Sequence, residues 1–104
     1  MTKMIVVCAG GRGTRFDREY YATKHLALAM ECWGRYGLEA ADAFYPAGEG
    51  DGWLSMGVYR FREAGDVDAA LAAPETERVM ADVKNFTDAA VVLRSMFCPI
   101  APPG

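Results

Sequence analysis

Three short stretches of this chain are apolar on both of their alternating faces, and that pattern restricts the fold more than any other feature. Lys3 to Ala9 sets Ile5 and Val7 on one side and Met4 and Val6 on the other. Trp53 to Phe61 sets Trp53, Tyr59 and Phe61 against Leu54, Met56 and Val58. Within Thr87 to Ile100, Val91, Leu93 and Phe97 oppose Val92 and Met96. Successive side chains of a strand point to opposite faces. Each segment therefore belongs to a sheet that is covered on both sides.

The remaining elements follow from local signals. Gly10 to Arg15 is a glycine- and arginine-rich loop. Asp17 is an N-cap for the helix that follows, and Phe16 and Tyr21 stand at hydrophobic-staple spacing. The helix is predicted to run to about Gly34, with Gly37 closing its exit. Leu38 to Tyr45 alternates weakly as a strand, and Pro46 to Gly52 is a turn rich in proline and glycine. Asp66 is expected to cap a second helical stretch through Ala73. Pro74 is expected to open a further helix at its N1 position, reaching about Phe86. The tail from Pro99 to Gly104 reads as extended. The order is β-α-β-β-α-β within one domain, residues 1–104. It defines an α+β, ferredoxin-like plan: a four-stranded antiparallel sheet with helices on one face. Helices can cover only that face. The other would be an apolar patch larger than monomers expose, so a second copy is expected to cover it in a twofold homodimer.

Bulk properties exclude several function classes. The net charge is −3 and no basic stripe tracks a phosphate backbone, so no nucleic-acid partner is expected. Met4 to Ala9 is too short to span a bilayer and is followed at once by Gly10, Gly11 and Arg12. It reads as neither a membrane span nor a signal peptide, and no membrane partner is expected. Cys8, Cys32 and Cys98 are scattered and odd in number, which points to buried thiols in a reducing cytoplasm. One histidine and dispersed cysteines cannot build a zinc or non-haem iron site, and no dinucleotide fingerprint is present. No metal and no cofactor are expected.

The first helix carries the candidate chemistry. At about 100° per residue, Tyr21, His25, Leu28, Ala29, Cys32 and Tyr36 fall within one arc, extended by Ala22, Leu26 and Trp33. His25 is the sole histidine, and it is aimed inward one turn after Tyr21. Such a histidine is either a core residue tied to a backbone carbonyl or the proton acceptor of a small pocket. Asp82, at the margin of the apolar face of Val79, Val83 and Phe86, is the candidate to orient the imidazole. Trp33, Trp53, Tyr59 and Phe86 are candidate pocket walls, each equally at home as plain core. Arg12 or Arg15, the latter carried forward as the binding candidate, is placed to meet an anionic group. Asn85 reads as a helix-end residue.

Two resemblances are local to named motifs. Val7-Cys8-Ala9-Gly10-Gly11-Arg12-Gly13-Thr14-Arg15 resembles the opening of sugar-phosphate nucleotidyltransferases. Those enzymes are far larger doubly wound proteins, and their downstream proline-lysine element is absent here, so nucleotidyl transfer is set aside. Phe16 to His25, continuing through Leu26-Ala27-Leu28-Ala29, resembles the first-helix signature of EthD-like proteins. Ala72-Ala73-Pro74-Glu75 and Ala81-Asp82-Val83-Lys84-Asn85-Phe86-Thr87-Asp88 resemble that family's second-helix signature. The resemblance implies the dimeric α+β barrel fold, shared with cofactor-free monooxygenases, cyclases, dehydratases, isomerases and haem-degrading enzymes. Ala73 departs from the pattern, where serine commonly precedes the proline.

Two functions are consistent with these residues. One is a cofactor-independent enzyme that moves a proton on a small hydrophobic metabolite, aromatic or polyketide-like, with His25, Tyr21 and Asp82 as catalytic residues. It would act as an oxidoreductase of monooxygenase type, or as a dehydratase or cyclase. The other is a ligand-binding or accessory protein of a catabolic pathway. A lone histidine can also be an axial haem ligand, although the helix leaves little room for one beside Tyr21.

Overall fold

The computed structural model describes residues 1–48 and 52–100. Four strands form one antiparallel sheet: β1 (Thr2–Ala9), β2 (Leu38–Phe44), β3 (Trp53–Phe61) and β4 (Val91–Phe97). Their spatial order is β2-β3-β1-β4. The first and last strands, β1 and β4, are thus neighbours in the sheet, as expected of the β-α-β-β-α-β plan. Register places Met4, Val6 and Cys8 of β1 beside Tyr59, Gly57 and Ser55 of β3, and beside Met96, Arg94 and Val92 of β4. The helices cover this face. The expected turn residues Glu49 to Asp51, and the tail from Ala101 to Gly104, lie outside the described residues.

The helical layer departs from the predicted pattern in three places. The first helix is not uniformly α. It runs as α1 (Arg18–Tyr20), a π-helical turn (Tyr21–His25), α2 (Leu26–Trp33) and a 3₁₀ turn (Gly34–Tyr36). The π turn is closed by the Leu26 amide donating to the Tyr21 carbonyl, five residues back. Asp17 caps the start by accepting from the Tyr20 amide at 2.9 Å. Phe16 packs on Tyr21 at 5.5 Å between ring centroids, completing the staple. Gly37 ends the element with φ +110°.

Asp66 does not cap the second stretch. That helix, α3 (Ala64–Ala72), begins after Glu63 with Asp66 inside its first turn, where it accepts from Arg62 Nε at 3.3 Å. Pro74 does not open the next helix either. Proline disfavours a helical residue before it, and Ala73 is extended at ψ 145°. Pro74 sits in a turn, and α4 (Thr76–Asp82) starts two residues later. A 3₁₀ turn, Val83–Asn85, follows α4.

The core lies between the sheet and the helices, with Met4, Tyr59, Phe61, Ala29, Val67 and Phe86 at its centre. Cys8 and Cys32 are buried in the expected way, whereas Cys98 is exposed beyond the end of β4. The opposite sheet face is bare in the single chain. It carries Ile5, Val7 and Val58, half-buried, with Phe44, Val91, Leu93 and Phe97 exposed; Leu93 is 62% accessible.

Candidate functional site

The site exists because the chain ties the start of the first helix to the end of the second. Phe16 and Thr87 form an antiparallel bridge. The Asp17 amide donates to the Phe86 carbonyl at 2.7 Å, and Thr87 Oγ1 donates to the Arg15 carbonyl at 2.7 Å. Arg15 completes this brace, donating to the carbonyls of Lys84 at 2.7 Å and Asn85 at 3.4 Å. Its guanidinium is therefore used to hold the two segments together. Pinned in this way, the inward turn of the first helix meets the last turn of α4, and His25 meets Asp82.

His25 Nδ1 stands 2.9 Å from Asp82 Oδ2. The same carboxylate accepts from Tyr20 Oη at 2.6 Å and from Asn85 Nδ2 at 2.9 Å, both on Oδ1. Three donors converge on one acidic group. Burial pulls Asp82 upward, but the hydrogen bonds from Tyr20, Asn85 and His25 outweigh it and leave the carboxyl below its usual range. Burial pushes His25 down, and the Asp82 hydrogen bond and charge only partly restore it. The contact has ion-pair distance, yet the imidazole is neutral at pH 7. Asp82 is thus an ionised acceptor for a neutral ring, which fixes the proton on Nδ1. Nε2 has no protein hydrogen-bond partner among the described residues.

Tyr21 lies over the same imidazole, with centroids 5.4 Å apart and planes inclined by 22°. Phe86 flanks the ring at 4.6 Å. The Tyr21 hydroxyl reaches across to Tyr59 on β3, Oη to Oη 2.9 Å. Burial raises both phenols, Tyr59 to about 12 and Tyr21 further. Neither is a base near neutrality; one hydroxyl donates to the other, and the pair keeps one proton free to donate. Gly57 makes this possible. A Cβ built there would collide with the Tyr21 hydroxyl and stand 3.0 Å from Tyr59 Cε2.

A cavity of about 460 Å³ opens between the helices and the β1–β4 side of the sheet. His25, Tyr21, Trp33, Tyr59 and Phe86 line it, so five of the residues singled out from sequence share one wall system. Trp33 is fixed by its Nε1 donating to Thr76 Oγ1 at 2.8 Å. Asp82 stands behind His25 rather than among the lining residues. Trp53 and Arg15 do not line it either. Trp53, 59% accessible, borders a separate hollow of about 330 Å³ with Phe44, Tyr45 and Pro46. A register shift between Cys8 and Ala9 accompanies its place at the start of β3.

Three contributors escaped the sequence reading: Tyr20, Gly57 and Arg94. Arg94 lines the cavity from β4. Its signal was available, since strand alternation puts it between Val92 and Met96 on the helix-facing side. Tyr20 was invisible to a uniform helical wheel, and Gly57 carries no sequence signal apart from being a glycine inside a strand. Among the described residues no group of three or more metal-ligating side chains occurs, and no helix is long and apolar enough to cross a membrane.

With this geometry in view, residues 13–90 match the EthD domain family. The chain belongs to that family. No curated protein sequence matches significantly. Among solved structures, an EthD-like protein from Ralstonia eutropha JMP134 superposes with a TM-score of 0.75 at 20% identity, covering 92% of this chain and 89% of that one. An ethyl tert-butyl ether D family protein from Bacillus halodurans C-125 gives 0.72 at 15% identity, covering 96% and 99%. A structure described as an antibiotic biosynthesis monooxygenase gives 0.56 at 13% identity, covering 97% and 100%. These likenesses bear on the fold.

Proposed function

We propose that this EthD-family protein is a cofactor-independent enzyme that transfers a proton on a small, largely apolar metabolite of aromatic or polyketide type. The observation that carries the reading is the pairing of His25 Nδ1 with Asp82 at 2.9 Å on the wall of a cavity of about 460 Å³. A buried, neutral imidazole with its proton fixed on one nitrogen offers the other as a base. In this scheme Nε2 takes a proton from an acidic C–H or O–H of the substrate. The imidazolium that forms keeps its Nδ1–H on the Asp82 carboxylate, which stabilises the new charge. The Tyr21–Tyr59 hydroxyl pair supplies its one free proton as a donor for the enolate or phenolate oxygen. That anion then reacts with molecular oxygen, or loses water or closes a ring.

The working form is a twofold homodimer in the cytoplasm, with the apolar sheet faces buried against each other. The test is consumption of a panel of phenols, naphthols and 1,3-dicarbonyl compounds, followed with and without oxygen. His25→Ala is expected to stay folded and lose turnover by about 10²–10⁴-fold. Undiminished rates in that variant would remove His25 from the mechanism. Tight binding without turnover across the panel would make the protein a binder instead.

A further inference from the structure

Among the described residues the cavity wall contains one side chain of fixed charge, Arg94, and it has no part in the proton transfer proposed above. Arg94 lies on β4 opposite Val6, so register turns it to the same side as Met4 and Val6, toward the helices. It lines the cavity together with His25, yet stands on a strand whose residues are all exposed. Helix α2 packs over β2 and α3 over β1 and β3, while every residue of β4 is exposed. Arg94 is therefore at the open margin of the cavity, while His25, 4% accessible, sits at its buried end. Among the described residues Arg94 enters no ion pair and no side-chain hydrogen bond. Asp82, the carboxylate behind His25, is already engaged by three donors. The other cavity walls are apolar, aromatic or neutral, with Val79, Val83, Val92 and Phe86 among them.

We propose that Arg94 is a specificity-determining residue that selects an apolar ring compound bearing an anionic oxygen group. The guanidinium holds that group at the rim while the ring system enters toward His25. A guanidinium presents a planar fork that suits a carboxylate, sulfonate or ionised enol, and beside apolar walls it is less screened than on an open surface. A neutral compound of the same shape would fill the walls equally well and leave the fork without a partner. The substrate class narrows accordingly, from any apolar metabolite to an acidic one. The inference rests on the proposed use of this cavity as a ligand site, but it does not depend on His25 being a base.

The experiment compares two fluorescent probes with the same ring system: 8-anilinonaphthalene-1-sulfonate and N-phenyl-1-naphthylamine, which lacks the sulfonate. Each is titrated into the wild type, Arg94→Gln and Arg94→Lys. Arg94→Gln is expected to weaken the sulfonate probe by about tenfold and leave the neutral probe unchanged. Arg94→Lys is expected to fall between. Only the sulfonate probe should weaken as salt rises. The ring proton signals of the sole histidine report location, and both probes should shift them. Equal losses for both probes, no loss for either, or a sulfonate probe that leaves His25 unshifted would each overturn the proposal. Turnover is not read, so a failure of His25 catalysis leaves this result standing, and the converse also holds.

Discussion

Replacing Asp82 with asparagine removes one charge and exchanges one acceptor oxygen for an NH₂ group at almost constant size. The wild-type carboxylate accepts from Tyr20 at 2.6 Å, His25 at 2.9 Å and Asn85 at 2.9 Å. An amide has one oxygen to offer. Facing Tyr20 and Asn85, that oxygen keeps two donors satisfied and turns NH₂ toward His25 Nδ1. The imidazole must then accept at Nδ1, and its proton moves to Nε2. Hydrogen bonds to an ionised acceptor are worth about 1 kcal/mol more than neutral ones. The Tyr20 and Asn85 bonds each lose the charged acceptor, on a carboxylate whose side chain is 12% accessible, while the His25 contact persists with its direction reversed, so the expected loss is about 2 kcal/mol. For a domain of this size that is roughly 10 °C in Tm. Long-range nitrogen–proton NMR of the single imidazole reads the tautomer directly, and denaturant unfolding reads the stability. The reasoning is refuted if the proton stays on Nδ1, or if the His25 pKa rises. Asp82 pulls that pKa upward in the wild type, so its removal must lower it further. The same shifts set the pH dependence of folding. The folded His25 binds its proton less readily than the unfolded one, whose ordinary value is 6.5. Between those two values the unfolded chain holds more protons, so stability rises with pH there. The contribution is fully present above about 6.5 and is lost as pH falls toward the folded value. A second loss, from Asp82, begins below its ordinary 3.8. His25→Gln should abolish the first limb.

Two further outcomes follow from the geometry. Gly57→Ala drives a methyl group into the Tyr21 hydroxyl and against Tyr59. It should cost about 1–3 kcal/mol in denaturant unfolding and displace the aromatic signals of both tyrosines; a neutral effect would mean that the Tyr21 hydroxyl does not lie over β3. Leu93→Asp places a charge on the bare sheet face, midway along the edge strand β4 and beside Val7. Sedimentation equilibrium should find a dimer for the wild type and a single subunit for the variant. A wild-type chain that remains single at micromolar concentration would leave that face without the partner proposed for it.

Much of the fold was legible because burial imposes a two-residue period on strands, and the period survives in the sequence. β3 is found where alternation put it, Trp53 to Phe61, and Lys3 to Ala9 misses β1 by one residue. The two-sided apolar pattern also anticipated a helix-covered face and a bare one. The second helical layer was less legible, since Asp66 and Pro74 carry capping chemistry that several positions can use. Tertiary contacts decided between them: Thr76 Oγ1 donates to the Ala70 carbonyl and accepts from Trp33. At the site, His25, Tyr21, Tyr59, Trp33 and Phe86 came together on the expected side of the helix. Trp53 and Arg15 did not join them. An exposed aromatic at a strand end and a cation beside a loop have no period to reveal where they point.

The π turn explains where the site departs from a uniform helical wheel, at Tyr20 and Ala22. Along α2, Leu26, Ala29, Cys32 and Trp33 are buried, with Leu26, Ala29 and Trp33 at the middle of the face. Continued backward at 100° per residue, their face passes through position 22. A purely α-helical chain would thus bury Ala22 at the centre of that face and leave Tyr21 toward its edge. In the structure Ala22 is exposed and Tyr21 is 1% accessible. The turn between Tyr21 and His25 holds one residue more than an α turn, so everything before it is rotated by about one position. A tyrosine takes the slot of an alanine, stacks on the imidazole and reaches Gly57 and Tyr59. The same rotation carries Tyr20 to the Asp82 carboxylate. π turns are costly in hydrogen-bond geometry and are frequent at functional sites. Here the cost is offset by the cap at Asp17, the Phe16–Tyr21 staple and the bridge to Thr87. One extra residue in one turn thus supplies the imidazole with its stacked phenol and its carboxylate with a third donor.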